Sequence, residues 1–383
     1  MINYKKLLIS IFLLVCYFVP THSSISETIT DNGASVFMYH RIGESTYPST
    51  NVTIEQFNQH INYISKNDFN IIPLKDVLDI VKNNQEFIKN TISFSIDDAY
   101  ESFYLNAWPK LRERNIPITL FISTEIIDNK TNGYMTWDQI RNFINEGGSV
   151  GQHTSSHMHM PLNSEESVKQ DILNSHKSFM KELGFIPELF AYPYGETSKD
   201  IINILKEFNI SHAFGQHSGV ISIYDNEYYL PRFSLNEQFG DLDRFIFAAE
   251  SLPLVVKDFI PSEMYLTENL KPRIEFSIES NIEVNQLNCF ANTGGNWSNQ
   301  KITNITEKRV QIILDDSFKS GRGRINCTVK KDKNWHSDEI QFDFYDLKSD
   351  VLECLTALSC PVSKLKILPE APSYFHPGRS GIL

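Results

Sequence analysis

Between Ser35 and Ala249, short apolar runs alternate with stretches in which apolar residues recur at helical spacing. Val36-Phe37-Met38-Tyr39 reads as a buried strand, and further strand-like runs fall at 69–72, 91–96, 118–123, 149–152, 189–191 and 212–214. Helical stretches lie between them. One opens at Thr53, where Gln56 is placed for a capping box, and runs through Ile64. The others cover 74–82, 101–114, 136–146, 165–183 and 198–208. Strand–helix alternation implies a parallel sheet, because parallel neighbours need a crossover. Roughly seven such units suit a closed or nearly closed barrel better than a doubly wound sheet. The period changes after 252: 251–272 reads as a connector, and from Arg273 polar and apolar residues alternate. Ile274-Glu275-Phe276-Ser277-Ile278 begins this pattern, which continues at 288–291, 309–314, 325–329 and 340–345, with turn-rich breaks at 292–296 and 320–323. The expected architecture is α/β: a distorted (β/α)7-type barrel over 35–250, then a small antiparallel β-sandwich over 273–346. The tail, 347–383, is apolar without a pattern.

The ends of the chain and its charge set the context. Lys5 and Lys6 precede an apolar run, 7–19, with small polar residues at 21–24. This is short of the ~20 residues of a membrane span, so 1–24 reads as a secretory signal peptide, with an uncleaved anchor as the other reading. Cys16 lacks the small residue before it that a lipid-attachment site requires. Export to the periplasm, cell envelope or medium is expected, with no integral span once the signal is removed. Cys289, Cys327, Cys354 and Cys360 then suggest two disulfides. Cys289–Cys327 and Cys354–Cys360 are favoured by proximity, and free buried thiols are the alternative. A net charge of −12 argues against a nucleic-acid partner. Oligomeric state is left open.

The chemistry is concentrated at predicted strand ends. Asp97 and Asp98 close Thr91-Ile92-Ser93-Phe94-Ser95-Ile96, and His153 and His157 follow the strand at 149–152. Parallel barrels place their sites at the carboxyl ends of strands, so groups far apart in sequence meet there. One carboxylate with two imidazoles makes a three-ligand site with a position left for water, suited to zinc or another first-row divalent ion. The second carboxylate is then available to take a proton from that water.

On these residues the chain resembles the polysaccharide deacetylases, carbohydrate esterase family four, with a NodB-like homology domain. Phe94-Ser95-Ile96-Asp97-Asp98-Ala99-Tyr100 is similar to the first motif, His153-Thr154-Ser155-Ser156-His157 to the second and Phe190-Ala191-Tyr192-Pro193-Tyr194-Gly195 to the third. The resemblance implies Asp97 as general base and Asp98, His153 and His157 as ligands of a divalent metal, Zn2+ with Co2+ or Ni2+ as alternatives. It implies the Tyr194 N–H as an oxyanion donor. Met38-Tyr39-His40-Arg41 resembles an opening strand that brings His40 to the site, with Arg41, Tyr192 and Pro193 also lining it. The family's third motif often carries an arginine that pairs with the base. Ala191 stands in that neighbourhood here, so Arg232 or Arg41 is expected to substitute. No late Leu-x-His motif supplies the acid, and His217 is the candidate, ahead of His212. His159 and His176 read as surface residues. Trp137, Tyr134 and Tyr192 are candidates for a glycan groove, and Trp297 with Trp335 for a stacking platform on the sandwich, with core or edge packing as the other reading. The expected activity is removal of N-acetyl groups from an N-acetylated polysaccharide or cell-envelope glycan of N-acetylglucosamine type. An O-acetyl esterase and a non-catalytic glycan-binding protein are the alternatives.

Overall fold

The structure is a computed structural model that describes residues 32–344 except 294, 320 and 332. The N-terminal run with Cys16, the Cys354–Cys360 pair and the tail from 347 lie outside the described residues. Six strands run parallel in chain order: β1 (Ala34–Tyr39), β2 (Thr91–Ile96), β3 (Thr119–Ile122), β4 (Ser149–Gln152), β5 (Leu189–Ala191) and β6 (His212–Phe214). The gap from β6 back to β1 is spanned by residues 230–234. Leu230 bridges Phe214, and β7 (Phe233–Ser234) pairs in parallel with Phe37 and Met38. This is the distorted barrel that the alternating pattern predicts.

Residue choice in β2 explains both its faces. Ile92, Phe94 and Ile96 point outward into a core shared with the helices, where Phe37 stacks between Phe94 and Phe245. The alternate residues Ser93, Ser95 and Asp97 are also fully buried, but on the opposite face. Small hydroxyl side chains there leave room inside the barrel for a large polar partner.

Helix α1 (Ile54–Lys66) carries the predicted capping box: Gln56 N donates to Thr53 Oγ1 at 3.1 Å and Thr53 N to Gln56 Oε1 at 3.0 Å. The predicted helix at 101–114 is two, Glu101–Asn106 and Trp108–Glu113. Pro109 is the reason, since it has no N–H and its ring crowds the preceding turn.

His60 of α1 is buried, with Nε2 2.8 Å from the Gly240 carbonyl and Nδ1 3.0 Å from the Tyr39 hydroxyl. The carbonyl can only accept, so Nε2 carries the proton and Nδ1 accepts from Tyr39. Burial holds this neutral form, pushing the pKa down to about 4. The unfolded chain therefore takes up this proton first. The stability contributed by His60 is whole above the unfolded value of 6.5 and is lost as pH falls towards 4. We expect the stability gap between wild type and His60→Gln to narrow by about 3 kcal/mol between pH 7 and pH 4 in urea unfolding. A gap that stays constant would contradict this.

The C-terminal unit is a sandwich of a six-stranded and a four-stranded sheet. The predicted strands are present, the longest being Arg322–Lys331 and Asn334–Phe344. The stretch 251–272 is not a plain connector. Val256–Ile260 pairs with Ile274–Ile278, while Leu252–Pro253 and Tyr265–Leu266 each add a short parallel edge to Asn334–Phe344. Prolines at 253 and 261 break the alternation that would have marked these strands. Cys289 and Cys327 lie opposite each other on neighbouring strands and form a disulfide. Trp297 and Trp335 sit three strands apart in the six-stranded sheet, so they do not form one platform. Trp335 packs against Phe247 of the barrel instead.

Candidate active site

Asp97 and Asp98 leave β2 side by side but point to different partners. Asp97 is fully buried, and Arg232 grips both its oxygens, Nη1 to Oδ1 at 2.7 Å and Nη2 to Oδ2 at 2.8 Å. The same guanidinium donates to Ser95 Oγ and to the Gly215 carbonyl, between the rings of Phe121 and Phe214. Arg232 thus fills the interior that the serines of β2 leave open. Burial alone would raise the Asp97 carboxyl, but Arg232, His153 and His40 outweigh it and hold it below the usual range. Of the two arginines expected to substitute for the third-motif residue, Arg232 makes this pair. Arg41 stacks between Tyr47 and Tyr100 and bonds Glu44.

Asp98 turns towards His153 and His157. Its Oδ1 lies 3.4 Å from His153 Nε2 and 3.3 Å from His157 Nε2. His153 Nδ1 lies 2.7 Å from the Ala191 carbonyl and must donate to it, which leaves Nε2 as a bare lone pair. Both His153 Nε2 and Asp98 Oδ1 are buried without a hydrogen-bond partner. Two inward, unsatisfied donor atoms in a cluster whose ligand atoms lie within 4.8 Å of one another fit a divalent ion. Asp98, His153 and His157 form a possible metal site.

The supporting shell lies on neighbouring elements. Asp171, in the second turn of the helix Glu165–Leu183, accepts from Ser155 N at 2.7 Å and Ser156 N at 3.1 Å, fixing the loop between the histidines. Tyr194 sets its ring edge against His157 and stacks flat on His159 at 3.8 Å. His159 in turn meets Glu196 at 2.8 Å. Asp98, Ala99, Thr154, His157 and Tyr194 all have left-handed φ values, so backbone strain collects at this site.

Several expectations need correction. His217 sits beside Arg232, whose backbone N–H donates to its carbonyl at 2.9 Å, and outside the Asp98, His153 and His157 cluster. It is buried, stacks on Tyr229 at 4.2 Å, and is pushed down to about 3 by burial and by Arg232 and Arg324, so it is neutral at ordinary pH. The chain turns at Gly215 and carries His217 towards the sandwich, where Ser218 N donates to Glu339. His40, by contrast, is partly exposed and within electrostatic reach of Asp98, Asp97, Arg232 and His153, with a pKa lowered chiefly by burial. Tyr192 does not line the site: it is fully buried beside Phe190, and its hydroxyl bonds the Tyr228 carbonyl. Pro193 is buried beside it. Trp137 is core, its Nε1 bonded to Asp128, whereas Tyr134 lies against Tyr100, itself coupled to Asp98. His159 is a wall of the Tyr194 loop rather than a bystander. Asp171 and Glu196 went unmarked. An acid on the apolar face of a long helix was the available signal for Asp171.

Fold and site together define a barrel hydrolase with a place for one divalent ion. Residues 84–213 match the polysaccharide deacetylase profile, and fold, profile and relatives together support a NodB-like carbohydrate deacetylase. It is 24% identical over 235 residues to a poly-beta-1,6-N-acetyl-D-glucosamine N-deacetylase of Staphylococcus aureus, covering 54% of this chain and 80% of that protein. The fold is similar to that of the deacetylase PplD of Streptococcus pyogenes, with a TM-score of 0.53, 20% identity and coverage of 58% of this chain and 100% of that one. It is also similar to IcaB from Ammonifex degensii, with a TM-score of 0.52, 21% identity and coverage of 58% and 99%. A second profile, the CLM domain of the phenylalanyl tRNA synthetase beta chain, matches 324–383. The described part of that stretch is two paired sandwich strands remote in sequence from the acids and histidines. Among the described residues no helix is long and apolar enough to cross a membrane.

Proposed function

We propose that the protein removes N-acetyl groups from a polymer of N-acetylglucosamine, releasing acetate and free amines. The observation that carries this reading is the buried Asp97–Arg232 pair set directly beside the Asp98, His153 and His157 cluster with its two unsatisfied ligand atoms. The name of the Staphylococcus aureus relative supports the polymer class. A divalent ion held by Asp98, His153 and His157, zinc by the chemistry of the donor set, supplies Lewis acidity when bound. Asp97, kept ionised and fixed in rotation by Arg232, takes the proton of the attacking water. The Tyr194 N–H stabilises the carbonyl oxygen as it gains charge. His40, rather than His217, gives a proton to the departing amine, since it shares the charged environment of both acids. The Cys289–Cys327 disulfide supports an exported protein.

The test is acetate release from N-acetylglucosamine oligomers with zinc or cobalt added. Release is expected from wild type, to vanish with His153→Ala together with bound metal. Release should be strongly reduced in His40→Gln and kept in His217→Gln. An inactive wild type that still binds one ion per chain would overturn this substrate class.

A further inference from the structure

The sandwich reaches into the site through one side chain. Arg322, on the strand Arg322–Lys331, donates from Nη2 to the backbone carbonyl of Tyr194 and lies 3.5 Å from Glu196. Its aim is set from behind. Asp343 is directly opposite it on the next strand and accepts from Arg322 Nε at 3.1 Å. Asp343 is itself buried and held by Gln341 Nε2 at 3.0 Å. A cross-strand ion pair of this kind fixes the rotamer of a long side chain before it meets its target.

The target matters because Tyr194 is not a relaxed residue. Its φ of 59° and ψ of 1° place a non-glycine side chain in the left-handed region, a conformation that persists only where surroundings enforce it. On one side the ring is clamped between His157 and His159. The carbonyl is clamped by Arg322. Glu196 joins the two clamps, because one oxygen meets His159 and the other faces Arg322.

We propose that Arg322 is a positioning residue for the deacetylation reaction: the sandwich holds the Tyr194 turn in its reactive shape across the domain boundary. This rests on the reading of the site given above. It makes the second domain part of the catalytic apparatus rather than an appended module.

The test uses the full chain, with Arg322→Gln and Arg322→Lys set against Glu339→Gln. The last removes the charge from the acceptor of a different barrel–sandwich contact, the bond from Ser218 N at 3.2 Å. Two readouts are taken: steady-state kinetics on N-acetylglucosamine oligomers and amide hydrogen exchange over residues 190–198. For Arg322→Gln we expect kcat to fall at least about tenfold with KM within about twofold, the signature of an interaction realised in the transition state. Exchange at 190–198 should rise selectively, with bound metal unchanged. Arg322→Lys should recover part of both, and Glu339→Gln should change neither. Unaltered exchange in Arg322→Gln would overturn the proposal, as would faster exchange with normal kcat in an active enzyme. Equal losses in Arg322→Gln and Glu339→Gln would overturn it too, by reducing the contact to docking. Should wild type release no acetate, the substrate reading fails by itself, and exchange at 190–198 alone decides whether Arg322 shapes the turn.

Discussion

Replacing Asp97 by Asn is expected to lower kcat by about 100- to 10,000-fold, the usual worth of a positioned general base. Bound metal should stay at the wild-type level, because Asp98, His153 and His157 are the residues that face one another. The amide is nearly the same shape and still accepts one hydrogen bond from Arg232, so the side chain stays in place without its basicity. Metal content and turnover measured on the same preparation separate the two acids. A loss of metal in Asp97→Asn would make Asp97 a ligand and exchange the roles assigned to the pair. In Asp98→Asn both metal affinity and turnover should fall.

The second large effect is expected at Arg232. Substitution by Met leaves a fully buried carboxylate with no counter-charge, and breaking such a pair from one side costs roughly 3–5 kcal/mol of stability. Burial then acts on Asp97 unopposed by its main partner, and the carboxyl rises. The base is therefore protonated over a pH range in which the wild-type residue is ionised, so activity at pH 6 should fall further than activity at pH 8. Lysine should restore the charge but not the two-pronged grip. The double substitution Asp97→Leu with Arg232→Met removes both charges and should recover much of the stability while leaving turnover abolished. Urea unfolding and the pH–rate profile check these outcomes. A profile in Arg232→Met with an unmoved acidic limb would show that Arg232 does not tune the base.

Local signals made much of this legible. The strands at 91–96, 149–152, 189–191 and 212–214 have the bounds that their apolar runs predict, as do the helices at 74–82 and 165–183. The Asp97–Asp98 and His153–His157 motifs lie at strand ends, where parallel-barrel logic alone makes them neighbours. The errors share a cause. His217 follows a strand like any catalytic loop residue, but its direction depends on the turn at Gly215 and on a sandwich that supplies Glu339 and Arg324. Tyr192 and Tyr194 are two residues apart, and left-handed backbone at Tyr194, invisible in residue type, sends one ring into the core and the other to the histidines. Arg322 and Asp171 act from distant elements onto backbone groups, and neither target leaves a mark in composition or period.

The strap at 230–234 has a consequence for how the chain becomes an enzyme. Asp97 and Arg232 are 135 residues apart in sequence, and the arginine arrives only on the last segment to complete the barrel. A chain folded as far as β6 holds Asp97 without its main partner, and burial then favours the protonated acid. Ring closure therefore supplies the partner that does most to keep the base ionised. The general base thus draws its full strength from the segment that completes the circumference.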